Sequence, residues 1–118
     1  MSTFTKNPLS ASTNGKQILV VHTTNGTADT IHTATAGTTN WDEVWLYVYN
    51  DSALAVTINI LWGGTTEPDN VIRALVAGQS GRYLLCDGMI LQNGLIIKAY
   101  ASVASKILID GFVNHIVP

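Results

Sequence analysis

The most informative stretch of this sequence is WDEVWLYVYNDSALAVTINILW, which runs from Trp41 to Trp62. In its first half, three aliphatic side chains share one face of an extended chain and three aromatic side chains share the other. Alternation with a period of two, carried by β-branched and aromatic residues, is typical of a β-strand. A short polar turn at 50–52 follows, and a second alternating run continues to Trp62. The stretch therefore predicts two strands joined as an antiparallel hairpin.

The first of these strands, residues 43–49, is apolar on both faces. A small β-sandwich has one core to fill, so one face of this strand can be buried in that core. The aromatic face then has to be covered by something else, and Tyr and Trp are enriched where proteins bind one another. We therefore predict an assembly protein rather than an enzyme.

Strand patterns recur along the chain, separated by clusters of Gly, Asn, Asp and Pro that favour turns. The predicted strands are Lys16–Thr23, Asp29–Thr35, Glu43–Tyr49, Leu54–Trp62, Asn70–Val76, Arg82–Cys86, Leu95–Ala101 and Lys106–Val117. Residues 1–14 are polar and are predicted to form an N-terminal arm, followed by one β-sandwich domain at 15–118. We predict an all-β fold, a single jelly-roll-like antiparallel β-sandwich of about eight strands. A seven-stranded immunoglobulin-like sandwich is the alternative.

The composition points to a surface of low charge. Charged residues make up 12% of the 118 residues, about half of the roughly 25% usual in soluble domains, and the net charge is −2. Such a surface is expected to be rich in Thr, Ser and Asn and partly buried against partners. The six Lys and Arg residues are scattered, which predicts no nucleic-acid partner. No apolar run suits a membrane span or a signal peptide, so we expect a soluble protein, without a membrane partner, that is made in the cytoplasm.

No recognisable catalytic, cofactor-binding or metal-binding motif is present in the sequence. Asp29 and His32 come nearest to a metal-binding pair, but residues three apart on a strand point to opposite faces. The histidines are therefore predicted to lie at the surface or in an interface. Adjacent Asp42 and Glu43 also face apart, and we predict a solvated strand start there rather than an acid–base pair. Cys86 lies in an apolar run and is predicted to be a buried thiol.

The aromatic face of residues 43–49 is the strongest candidate for a binding site. It can be core beneath a second covering layer, an interface with another subunit or partner, or a platform on which sugars stack. The last predicted strand is also apolar on both faces and would favour aggregation if it were exposed. We predict an interface that comprises Trp45, Tyr47, Tyr49, Phe112 and Ile116.

An ordered series of turns and strands fills residues 49–118. The series comprises the polar turn at 50–52, the strand VTINI at 56–60, the loop GGTT at 63–66, PDN at 68–70, the turn AGQS at 77–80, ILQNGLI at 90–96 and the small-residue run AYASVAS at 99–105. It resembles a group of small β-sandwich virion proteins of tailed bacteriophages. The chain departs from that group at Leu95, where a charged residue is usual, and this change favours additional burial between subunits.

The resemblance implies a non-enzymatic structural role in a virion, with no cofactor. Within that setting we expect a capsid decoration or cement protein on the capsid surface, which stabilises the mature head as a homotrimer bound to the major capsid protein. A tail, fibre or head–tail junction subunit is the close alternative. A carbohydrate-binding module for host attachment is the alternative from a different class, and an enzyme is the least favoured.

Overall fold

The computed structural model of the chain describes residues 2–118, which are almost entirely β-structure. The strands are β1 (Thr3–Pro8), β2 (Ile18–Val20), β3 (Asp29–Thr33), β4 (Trp41–Asn50), β5 (Val56–Trp62), β6 (Val71–Val76), β7 (Tyr83–Leu91), β8 (Ile96–Ala101) and β9 (Ile107–Val117). All eight predicted strands are present, and β1 is an additional strand within the stretch predicted to be an arm. Within residues 2–118 no helix has the length and apolarity that crossing a membrane requires.

The nine strands form two antiparallel sheets. Sheet I has the order β1-β9-β4-β7, with β2 also beside β9, and sheet II has the order β3-β8-β5-β6. From β2 onward the strands pair from the two ends of the chain inward, β2 with β9, β3 with β8, β4 with β7 and β5 with β6. A ribbon of four such pairs wrapped into two sheets is a jelly roll. The predicted fold class is therefore confirmed, in place of the immunoglobulin-like order.

The hairpin predicted for residues 41–62 is wrong. β4 lies in sheet I between β9 and β7, whereas β5 lies in sheet II between β8 and β6. The turn between them carries the chain across the sandwich, and the buried side chain of Asn50 holds it, because its Nδ2 donates hydrogen bonds of 2.9 Å to the carbonyls of Leu54 and Val76. Both strands alternate as predicted, but their apolar faces meet across the core instead of lying side by side in one sheet.

The core lies between the two sheets and takes the aliphatic face of β4. The buried apolar side chains include Val44, Leu46, Val48, Val56, Ile58, Ile60, Cys86, Ile97, Ile107 and Ile109. Cys86 is thus buried as predicted, and burial raises the pKa of its thiol to about 12. β9 approaches β4 so closely that a Cβ at Gly111 would overlap the carbonyl oxygen of Trp45. This position therefore requires glycine.

β7 is longer than its sequence pattern predicts. The pairing with β4 passes over Leu85 and Gly88, which form two β-bulges. Asp87-Gly88 has the residue types of a turn, and a turn was predicted there, but the structure makes it an irregularity within a strand. Gly88 has φ +82°, and its missing Cβ leaves room for the indole of Trp45, whose Cζ2 would lie 3.0 Å from it. The bulge thus shapes the face on which the aromatic side chains lie.

Candidate interaction surface

The aromatic side chains of β4 lie on the outer face of sheet I, as the alternation predicts. The burial of β4 alternates along its whole length, with the aliphatic residues buried and Trp45, Tyr47 and Tyr49 half-buried. Of the other two predicted interface residues, Phe112 is also half-buried, whereas Ile116 is 7% exposed. Ile116 can therefore offer little surface to a partner.

A row of packed side chains crosses the outer face of sheet I. The rings of Trp45 and Phe112 are nearly parallel, with an interplanar angle of 11° and 5.9 Å between their centroids. The Nζ of Lys6 lies 4.2 Å from the centroid of the Phe112 ring. Because β9 lies between β1 and β4, Lys6 and Trp45 approach the Phe112 ring from opposite sides. The structure thus brings together two of the predicted residues and covers Phe112 with side chains of the same sheet.

Tyr47 is covered in a similar way by a cation of its own chain. The guanidinium carbon of Arg82 lies 3.7 Å from the centroid of the Tyr47 ring. Nε of Arg82 also donates to both carboxylate oxygens of Asp110, at 2.9 and 3.0 Å. Asp110 is directly opposite Tyr47 in the strand register. Stacking on an aromatic ring and bonding to a carboxylate together fix the guanidinium over the ring.

Polar groups on this face are bonded to one another. Glu43 accepts hydrogen bonds of 2.9 Å from the indole Nε1 of Trp45 and from Nδ2 of Asn114, and these two bonds lower the pKa of its carboxyl group. The hydroxyl of Tyr49 donates to Asp51 at 3.0 Å, which raises the pKa of the tyrosine. These polar side chains of the outer face therefore have hydrogen-bond partners within the single chain.

The most exposed apolar side chains lie elsewhere, and none of them is among the residues predicted to form the interface. The large apolar residues that are exposed include Phe4, Leu19, Val21, Leu54, Leu75, Tyr83, Leu84, Ile90, Leu95, Ile96 and Val103. Two signals for them exist in the sequence. Leu75 shares a strand face with Arg73, and the adjacent Leu84 and Leu85 cannot both face the core.

An apolar groove of about 280 Å³ lies where the edges of β6 and β7 meet at the side of the sandwich. Its walls are Val48, Ala74, Leu75, Val76, Ala77, Tyr83, Leu84 and Leu85, none of which is charged. Leu75 is 74% exposed and Leu84 is 49% exposed. The groove and its rim therefore form an apolar surface at the side of the sandwich, and Leu84, which lies opposite Tyr47 in the strand register, joins it to the outer face of sheet I.

His32, His115 and Asp42 form a cluster that differs from the prediction. His32 and Asp42 are both 4% exposed, so the predicted surface position of His32 and the predicted solvated position of Asp42 are wrong. His32 lies on β3 and Asp42 lies on β4, and Oδ2 of Asp42 is 2.7 Å from Nε2 of His32. Oδ1 of Asp42 is 3.0 Å from Nδ1 of His115. Asp29 instead bonds His22, with 2.8 Å between Oδ1 and Nδ1.

The hydrogen bonds of this cluster fix the tautomer of His32. The backbone N–H of Ser10 donates to Nδ1 of His32 at 3.0 Å, so Nδ1 carries a lone pair and Nε2 carries the proton donated to Asp42. Burial alone would raise the pKa of Asp42, but the hydrogen bonds from His115 and His32 outweigh it and the pKa is lowered. The cluster joins β3, β4, β9 and the segment after β1. Within residues 2–118 no group of three or more His, Cys, Asp or Glu residues is arranged to hold a metal ion.

Comparison of the chain with protein-family models, with curated proteins and with solved structures found no match. The fold and the surfaces described above are therefore the features of this chain that bear on its function.

Proposed function

We propose that this chain is a structural protein of a tailed-phage virion, and specifically a capsid decoration or cement protein that stabilises the mature head. The observation that carries the proposal is the set of large exposed apolar side chains on a chain in which 12% of residues are charged. Exposed apolar patches on a folded domain are typical of protein interaction surfaces. The jelly-roll fold, which viral capsid proteins and lectins both use, is compatible with this role by analogy.

The proposed mechanism is stabilisation by mass action. A protein that binds the mature shell and not its precursor or its dissociated subunits shifts the equilibrium toward the mature shell. An oligomer that contacts several capsid subunits at once gains further affinity from multivalency. The partner in this proposal is the major capsid protein, and no chemistry at the aromatic face is required.

The test uses virus particles that are purified from a culture whose DNA encodes this chain. They are separated into full heads, empty heads and detached tails, and the chain is quantified in each fraction by mass spectrometry. The proposal predicts that the chain sediments with heads. Recovery with tails alone would support the tail, fibre or head–tail junction alternative, and absence from all three fractions would refute the virion role.

The carbohydrate-binding alternative is less compatible with the aromatic face. A sugar stacks on an open ring face, whereas Phe112 lies between Lys6 and Trp45, and Arg82 covers Tyr47. On this basis we expect no binding on a glycan array. Binding that is lost in Trp45→Ala, with the fold retained, would favour the sugar-binding module instead.

A further inference from the structure

We propose that the edge of β6 is a self-association surface at which a second copy of this chain adds its own β6, antiparallel and related by a twofold axis at Ala74. The two copies would then share one continuous sheet II. This inference stands on the geometry of the edge and does not depend on the proposed virion function. A pair, rather than the homotrimer expected from the resemblance, is the assembly that such a contact produces.

The edges of the described sheets differ in how well they are protected from pairing. β1 carries Pro8, β2 has three residues, β3 is irregular between Thr30 and His32, and β7 has two bulges. Proline, short length and bulges are the usual devices that prevent a strand edge from adding a partner. β6 has six residues in unbroken register with β5 and contains none of these three devices, and its one charged residue, Arg73, is bonded to Glu67 and Asn59 of its own chain. Within residues 2–118 it is the edge best suited to accept a strand.

The outward backbone groups of β6 can be assigned from its pairing with β5. The carbonyl of Asn70 accepts a hydrogen bond from Trp62 N at 2.7 Å, so this residue faces β5. Backbone groups alternate in direction along an antiparallel strand, so those of Arg73 and Leu75 point away from β5. A partner strand can therefore form hydrogen-bonded pairs with these two residues.

Charge and the length of the paired segment together select one register for the twofold pair. Pairing Arg73 with Arg73 of the second copy would place like charges opposite each other, which is unfavourable. Pairing Leu75 with Leu75 of the second copy would engage only residues 74–76 of each strand. Moving the twofold axis by one residue, from Arg73 to Ala74, pairs Arg73 with Leu75 of the second copy and Leu75 with its Arg73. The two Ala74 residues then lie opposite each other. Arg73 is also compensated within its own chain, because it bonds the carboxylate of Glu67 and Oδ1 of Asn59. β6 therefore presents no uncompensated like charge across the axis.

The same contact covers the exposed apolar side chains of this region. Leu75 lies on the outer face of sheet II and would pack on the aliphatic stem of the second copy's Arg73. On the inner face, the added strand extends sheet II past the mouth of the β6–β7 groove. Its inner side chains point toward sheet I, where Tyr83 of β7 is exposed and shares the inner face with its register partner Val48. The pair thus buries apolar surface on both faces of the added strand.

Sedimentation of the full chain tests the pairing. We expect the mass to be twice the 12.6 kDa of one chain at high concentration. Leu75→Lys introduces a charge at the centre of the contact and should raise the dissociation constant by at least about tenfold. Phe4→Lys is the matched control, because Phe4 is 65% exposed but lies on β1, at the edge of sheet I that is opposite to β7, and it should leave the pair intact.

Disulfide cross-linking tests the register. Residues opposite each other at a non-hydrogen-bonded antiparallel position have Cα atoms about 4.5 Å apart, within the range of a disulfide. Ala74→Cys should therefore give a covalent dimer under oxidising conditions, whereas Ile72→Cys, which lies opposite Val76 of the second copy, should not. The native thiol, Cys86, is buried and does not compete. A monomer at all concentrations, a trimer, or a dimer unaffected by Leu75→Lys would overturn the proposal while leaving the virion function untouched.

Discussion

At the scale of single residues, the carboxylate of Asp42 is the polar centre of this sandwich. It is buried, and both of its oxygens accept hydrogen bonds, from two histidines and from the backbone N–H of Thr35. Buried charges persist in folded proteins when they are bonded in this way. The cluster joins strands of both sheets to the segment after β1, so we expect it to specify how these parts meet.

Asp42→Asn should destabilise the fold and flatten its dependence on pH. The pKa of Asp42 is below its ordinary value of 3.8, so the ionised carboxylate stabilises the folded chain at neutral pH. That stabilisation is lost as the pH falls from about 5 through the folded-state pKa. At pH 7 we expect a loss of about 2 to 4 kcal/mol in the free energy of unfolding, measured by urea denaturation.

Asp69→Asn is the control, since Asp69 is exposed and the substitution removes the same charge. It should change the free energy of unfolding by less than about 0.5 kcal/mol at neutral pH. The buried carboxylate would not have the stabilising role assigned to it if Asp42→Asn were as stable as the parent chain at pH 7. The same would follow if the variant were less stable than the parent by the same amount at pH 7 and at pH 3.

At the scale of elements, the outer face of sheet I shows how a strand with two apolar faces is accommodated in one domain. The aromatic face of β4 is not left bare. Phe112 of β9 stacks on Trp45, Lys6 of β1 covers Phe112, and Arg82 covers Tyr47. Neighbouring strands thus supply much of the cover that we expected from a partner.

The two phenylalanines of the chain offer a direct test of this packing. Phe112→Ala removes the ring at the centre of the row and should lower the free energy of unfolding by about 2 to 3 kcal/mol, because a half-buried ring contributes less than a fully buried one. Phe4→Ala is the matched control, because Phe4 is 65% exposed, and it should cost less than about 0.5 kcal/mol. Equal effects would show that the row adds nothing to stability.

Strand positions and faces could be predicted from the sequence because alternation is a local property of the chain. The same alternation cannot say which strands are neighbours. Residues 41–62 therefore suggested a hairpin, although β4 and β5 belong to different sheets. β1 was missed because all six of its side chains are exposed, so no alternation marks it. The bulge at Gly88 resembled a turn, since glycine with positive φ serves in both.

The candidate site was less predictable, for reasons that are also physical. The sequence identified Tyr47 but not the cation that covers it, since Arg82 lies 35 positions from Tyr47 in the chain. Asp42 was misplaced because its partners, His32 and His115, come from other strands. Long-range pairs of this kind leave no signal in the local spacing of one sequence. The exposure of the leucines at the β6–β7 edge depends on which strands lie at the edges of the two sheets, and this order cannot be read from one strand alone.

At the scale of the whole molecule, strands β2 to β9 form the jelly roll, and β1 is an additional strand that pairs with β9 at the edge of sheet I. β9 is bordered by β4 along one edge, while β2 and β1 share the other. All residues of β1 are exposed, but Leu9, which follows it, is 1% exposed and belongs to the core. The boundary between the added strand and the sandwich therefore lies between Pro8 and Leu9.

A chain that starts at Leu9 should fold to the same sandwich. Removing β1 exposes little apolar core, and its lost hydrogen bonds are offset by the conformational entropy regained, so we expect a loss of less than about 2 kcal/mol in the free energy of unfolding. Leu9→Ala in the full chain should cost more, about 2 to 5 kcal/mol, because it leaves a cavity in the core. Far-UV circular dichroism and urea denaturation compare the two. If the shortened chain lost cooperative unfolding while Leu9→Ala kept it, β1 would be an integral part of the folding unit and the boundary would lie before it.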